Sequence, residues 1–207
     1  MTATGTTRTW AGSTLAERKA VRRAQLVAAG RELLGAGQAV TVRSVCRAAK
    51  LTQRYFYESF GDRDELVIAA FEAAAHEAVA AIVEAVAETD GRPESVARAG
   101  VRVAVEQTID DPRRGQVLVV APVSDPVLFA KRDEMLPVLT ALFEEHIDSD
   151  AGDSELVASA LAGALVHLFF RYLTGELRVE RAAFEEHCVR LLLAGGAGWR
   201  RPSVDTG

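Results

Sequence analysis

The stretch TVRSVCRAAKLTQRYFYESF, residues 41–60, decides how this chain is read. It sets Tyr55, Phe56 and Tyr57 in a row beside Gln53 and Arg54, in a chain whose aromatic content is 6%. Val42 and Val45 precede it at helical spacing, and Thr41 is a good N-cap for a helix over 42–49. Lys50, Leu51 and Thr52 then lead into a second short helix, from about Thr52 to Ser59. Two short helices joined this tightly form a helix–turn–helix. At about 100° per residue, Phe60 falls about 40° from Phe56, so both rings share a core face. Arg54 and Glu58 fall opposite, with Tyr55 and Tyr57 on the flanks. The pattern predicts that Phe56 and Phe60 pack, while Gln53, Arg54, Tyr55 and Tyr57 are open to a groove.

Charge points the same way. The chain of 207 residues has a net charge of -5, which by itself argues against a polyanionic partner. Residues 1–60, however, hold 10 Lys and Arg against 3 Asp and Glu, a net of +7, and the remainder holds 14 against 26, a net of -12. A basic module on an acidic body is the expectation. Only Lys19, Lys50 and Lys131 are lysines, so the clustering of arginine carries more weight than its abundance.

On the N-terminal side, residues 1–12 are rich in Thr and Gly without periodicity and read as a flexible arm, with Arg8 and Trp10 as conceivable minor-groove contacts. A helix from Ala16 to Leu34 turns Leu26, Val27, Gly30, Leu33 and Leu34 to one side. Arg18, Arg22 and Arg23 lie elsewhere on it, as solvent-facing residues or electrostatic support. On the C-terminal side, GDRDEL offers Asp62 as N-cap and Glu65 as its capping-box partner for a long alanine-rich helix to about Glu88. Pro93 opens a helix to about 109. A short helix near 113–120 and a longer one near 126–147 follow, the latter kinked at Pro137. An apolar helix over 154–174 and a last one over 180–194 complete an all-α chain of about nine helices, before a loose tail over 197–207.

The longest apolar stretch, LVASALAGALVHLFF, has 15 residues. That is short of the roughly 20 a membrane span needs, and it reads as a buried helix. The first ten residues lack the apolar core of a signal peptide. Cys46 and Cys188 lack metal-ligand spacing and read as buried free thiols of a reducing cytoplasm. No Gly-rich phosphate loop, HExxH or GxSxG is present, so neither catalysis, metal nor cofactor is expected.

Over LVAAGRELL, TVRSVCRAAKLTQRYFYESF and GDRDEL the sequence resembles the TetR family of bacterial transcriptional regulators. The order of elements is also similar to that family. The resemblance implies a helix–turn–helix DNA-binding domain over 13–62 and a ligand-binding and dimerisation domain over 63–196. It implies that Gln53, Arg54 and Tyr55 read bases, with Arg43 as a further base contact, and that Thr41, Thr52, Tyr57 and Arg63 hold phosphates. The chemistry suits these roles: arginine presents a fork to guanine, glutamine pairs with adenine, and hydroxyls suit phosphate oxygens. One departure stands out. The turn position usually held by glycine is Lys50, where a left-handed backbone costs roughly 1 kcal/mol.

The resemblance further implies a homodimer on a near-palindromic operator, released by a small-molecule effector. Ala160, Gly163 and Ala164 on the apolar helix, with Phe184, Cys188, Leu191 and Leu192 on the last, are the candidate dimer interface. His167 and Arg171, one turn apart, read either as core or interface polar groups or as ligand-orienting groups in a pocket. Gln107, Phe129, Met135, Phe143 and His146 are further candidate lining residues. The alternative readings are a helical small-molecule-binding or enzymatic domain with no DNA role, or a regulator that needs no ligand.

Overall fold

A computed structural model of the chain describes residues 14–144 and 154–196. The elements are α1 (Leu15–Gly35), α2 (Val42–Ala49), α3 (Gln53–Tyr57), α4 (Arg63–Ala87), α5 (Pro93–Thr108), α6 (Pro112–Gly115), a π-helical turn (Gln116–Val120), α7 (Ala121–Ser124), α8 (Pro126–Glu144), α9 (Ser154–Leu173) and α10 (Arg181–Gly196). With the run over 112–124 taken as one, this makes nine helices and no strand among the described residues. The expected arm and tail, with Arg8 and Trp10, lie outside the described residues.

The chain divides into two compact units, Met1–Ala70 and Phe71–Gly207. The division falls after Ala70 rather than after Asp62, because the first turns of α4 pack into the first unit. Leu66, Val67 and Ala70 are buried there. A Cβ on Gly30 of α1 would sit 3.5 Å from Ala70 and 3.6 Å from Leu66, so α1 and α4 meet closely at this glycine.

Helices α1, α2 and α4 start where the sequence supplies a side-chain cap. Thr14 and Glu17 form a reciprocal capping box on α1, which begins at Leu15, one residue before the expected Ala16. Thr41 and Ser44 do the same on α2. At α4, the Asp62 carboxylate accepts from the Glu65 amide at 2.9 Å. The Glu65 carboxylate reaches back to the Gly61 N–H at 2.6 Å, one residue beyond the expected partner, Asp62. The core here is Leu26, Ala29 and Leu34 of α1, Val45 and Cys46 of α2, and Phe56 and Phe60.

The second unit centres on Val101 and Val105 of α5, Leu165 and Phe169 of α9, and Phe184, Cys188 and Val189 of α10. Phe184 meets Phe169 edge-on at 5.1 Å and Tyr172 at 4.5 Å. Two bidentate ion pairs tie α10 to α5 and the loop after it: Arg98 to Glu186 at 2.7 and 3.3 Å, and Arg181 to Asp110 at 2.7 and 2.6 Å. These hold the Glu186 and Asp110 carboxyls below their usual range through the hydrogen bonds their arginines donate.

The π turn has a local cause. Pro122, just beyond it, has no N–H to return to the ladder, and the Ala121 N–H bonds the Gln116 carbonyl. Gly115 is required at its start, since a Cβ there would collide with the Thr108 carbonyl. Helices α4 and α9 are long and apolar enough to cross a membrane by composition. Both use that apolarity for packing: Leu66, Val67, Ala70, Phe71 and Ala74 of α4, and Ala158, Leu161, Ala162, Leu165 and Phe169 of α9, are buried.

Candidate nucleic-acid interface and apolar cavity

The turn between α2 and α3 is built on the residue that departs from expectation. Lys50 adopts φ 55° and ψ 37°, the left-handed conformation. Its N–H bonds the Arg47 carbonyl at 3.3 Å, and Leu51 N–H returns to Cys46 at 2.9 Å. These bonds close the end of α2 and throw the chain sharply into α3. The strain inferred from the sequence is therefore present and is held by the cap.

From that turn, α3 and the residues after it divide their side chains as the helical spacing requires. Phe56 is 0% exposed and Phe60 2%. The bonds from Glu58 N–H to Arg54 and from Phe60 N–H to Phe56 carry the helical path past Tyr57. On the other side, Gln53, Arg54, Tyr55 and Tyr57 are exposed, Tyr57 to 59% and Tyr55 to 37%. Tyr57 packs its ring edge against Phe56 at 5.4 Å while most of its surface stays in solvent. Thr41 and Arg43, at the start of α2, are both exposed. The Thr41 hydroxyl caps α2, accepting from Ser44 N–H at 3.0 Å. The Thr52 hydroxyl makes no such cap on α3. Arg63 is held from both sides, donating to the Val40 carbonyl at 3.2 Å and to Asp64 at 2.8 Å.

Sequence reasoning misses the support beneath this face. Arg22 of α1 does not simply face solvent. Its guanidinium stacks on the Tyr55 ring at 4.5 Å and donates to Glu58 at 3.4 Å. Glu58 in turn accepts from Arg54 Nε at 3.2 Å. A cation–π contact and a shared carboxylate thus hold Tyr55 and Arg54 in place from behind. The available signal is the helical offset that puts Arg54 and Glu58 on one side, one turn apart; nothing in the sequence ties Arg22 to them.

In the second unit, a cavity of about 690 Å³ opens among apolar side chains of α4, α5, α8, α9 and α10 and the π turn. Two expected lining residues, Gln107 and Met135, stand in its wall. Phe129, His167 and Arg171 do not. Phe129 is half-exposed and carries the Arg132 guanidinium over its ring at 4.7 Å. The cavity face of α9 is Leu161, Leu165, Val166 and Phe169. His167, two residues beyond Leu165, is turned by about 200° to the exposed side. Arg171 follows it round and pairs with Glu176 at 3.2 Å. Phe143 lies in the last turn of α8, its side chain outside the described parts, and His146 is outside the described residues.

The interface candidates divide too. Phe184 and Cys188 are buried at 3% and 0% inside their own protomer, so they belong to its core and offer nothing to a partner. Burial also raises the Cys188 thiol to about 11, keeping it protonated and unreactive. Leu191 packs partly against that core, and Leu192 lines the cavity. Ala160 and Gly163 are exposed, Ala164 partly so, and nothing lies within 4 Å of a Cβ built on Gly163.

No family model and no curated protein matches this sequence. Solved structures do. The fatty acid degradation regulator FadR from Bacillus halodurans is similar over 83% of this chain and 94% of its own, at 18% identity and a TM-score of 0.68. A TetR-like transcriptional regulator from Rhodococcus sp. RHA1 is similar over 86% and 97%, at 22% identity and 0.62. The multidrug binding protein EbrR, solved with imidazole, is similar over 82% and 94%, at 21% identity and 0.61. The chain therefore has the all-α fold of TetR-like transcriptional regulators.

Proposed function

We propose that this chain is a DNA-binding transcriptional regulator, not an enzyme, that acts in the bacterial cytoplasm. The observation that carries the reading is the division of the aromatic run: Phe56 and Phe60 are withdrawn into the core while Gln53, Arg54, Tyr55 and Tyr57 stand outside. A short helix that buries one side and offers amide, guanidinium and phenol groups on the other is suited to a major groove. Gln53, Arg54 and Tyr55, with Arg43, read base edges. Thr41, Thr52 and Tyr57 meet phosphates. Arg63, bonded to Val40 and Asp64, swings part of its fork to the backbone when DNA arrives.

One such helix reads few bases, so the regulator works as a homodimer on a near-palindromic operator. The open face of α9 at Ala160, Gly163 and Ala164, with the exposed flank of α10, supports a pairing of these helices across a two-fold axis. The cavity supports a small-molecule effector. The effector favours a protein conformation whose reading helices no longer match the groove spacing, and releases the operator, with a coupling of typically 1–3 kcal/mol. The similarity to FadR and to a multidrug binding protein is consistent with such control.

The test is fluorescence anisotropy on labelled duplexes from the region upstream of the chain's own gene. The reading expects a specific complex whose affinity falls steeply with salt. A purified chain that ignores every such duplex at low salt leaves the helical binding-domain reading in its place.

A further inference from the structure

The wall of the cavity carries a charge that nothing among the described residues answers. Its lining is apolar apart from Gln107, Thr108 and Arg132, and contains no aspartate or glutamate. The Thr108 hydroxyl is already spent on the Ala104 carbonyl at 2.6 Å. Arg132 forms no ion pair among the described residues: its neighbour Lys131 takes Glu72 at 2.7 Å and Glu134 at 3.2 Å, while Arg132 lies over the Phe129 ring. Arg132 Nε and Gln107 Oε1 are both buried without a hydrogen-bond partner.

A partly buried guanidinium with no counter-charge and an orphaned donor is costly, and an incoming acceptor recovers that cost. An anionic oxygen recovers the most, because hydrogen bonds between ionised groups are the strong ones and the apolar walls screen them little. A cation meets only a like charge here and no carboxylate to balance it. A neutral hydrocarbon fills the volume and leaves both polar atoms unsatisfied.

We propose that the cavity takes an apolar molecule with a single anionic oxygen group, a carboxylate or its equivalent, bound by Arg132. Gln107 accepts from any hydroxyl or amide N–H the ligand carries. The proposal deepens the effector reading above and rests on it for its regulatory meaning, but not for the binding itself.

Isothermal titration of the full chain without DNA separates the two. The probes are dodecanoate, dodecanol and dodecyltrimethylammonium, each below its micellar concentration. Dodecanoate binds about ten- to a hundredfold more tightly than the alcohol, and the ammonium binds weakest. In Arg132→Gln, its fold checked by circular dichroism, dodecanoate falls to the level of the alcohol. Equal affinity for all three, a preference for the ammonium, or no binding of any probe overturns the assignment on the wild-type chain alone. A chain that prefers dodecanoate but binds no duplex sinks the regulator reading and leaves this one standing.

Discussion

The two units of this chain put their unusual residues to opposite uses. In the first, the polar and aromatic residues that do not fit a core are turned outward and steadied from behind, as Arg22 steadies Tyr55 and Arg54 through Glu58. In the second, the outliers that matter are turned inward, as Gln107 and Arg132 are in an apolar wall. The first arrangement suits a partner larger than the protein, read along a groove. The second suits a partner small enough to enclose. An outward set needs a rigid base, while an inward set needs unsatisfied groups, and the two units differ in that respect.

Loss of the rigid base is the largest effect this contrast predicts. Phe56→Ala removes a fully buried ring from a small core and costs about 3–5 kcal/mol. Urea unfolding followed by circular dichroism shows the first unit melting early, and the variant binds no duplex. If it binds DNA normally, the buried half of the aromatic run is not what aims the exposed half.

A smaller effect sharpens the role of the turn. Lys50→Gly relieves the left-handed backbone and stabilises the unit by up to about 1 kcal/mol, seen as a higher Tm. It also removes a charge beside the exposed side of α3, so duplex affinity at low salt is expected to fall although the fold is firmer. A rise in both stability and affinity shows that the lysine serves no electrostatic purpose.

The smallest effect belongs to the second unit. Asp110 and Glu186 have carboxyls held low by Arg181 and Arg98. A carboxyl whose folded pKa is depressed contributes stability above its unfolded pKa and loses it as pH falls through the folded value. Tm therefore declines on acidification, and the Arg98→Ala, Arg181→Ala double variant declines less steeply. These pairs are exposed, so the difference is slight and shrinks further in salt. Parallel Tm–pH curves for the two proteins remove these pairs from the acid response.

The same contrast explains what is legible in the sequence. In the first unit, dense local signals agree: two capping residues, a tight turn and an aromatic run at helical spacing suffice to say which side chains pack and which stand outside. The strain at Lys50 follows from the same turn. In the second unit, helix positions are legible because breaks such as that before Pro93 mark ends, but the facing of each helix is not. With apolar residues nearly all round α9, periodicity does not say which side meets a cavity, and His167 and Arg171 lie outward where a pocket role requires them inward. Phe184 and Cys188 show the converse, an apolar stripe that serves the protomer's own core. Arg132 escapes the sequence reading although it sits among Leu128, Met135 and Leu136 at helical spacing, an arginine on an apolar stripe. The π turn rests on Pro122 acting together with Gly115 and Thr108, a coincidence in space that linear spacing does not carry.

The most direct measurement is a salt-resolved anisotropy titration of the wild type and Arg54→Ala on one specific duplex and a set of single-base variants. Arg54 has a side chain 85% exposed and is oriented by Glu58, so its removal leaves the fold intact. The account predicts that affinity for the specific duplex falls and that discrimination at one base pair, worth about 1–3 kcal/mol, disappears while other positions are read as before. Unchanged affinity and an unchanged base profile would contradict the claim that the unpacked side of α3 reads DNA.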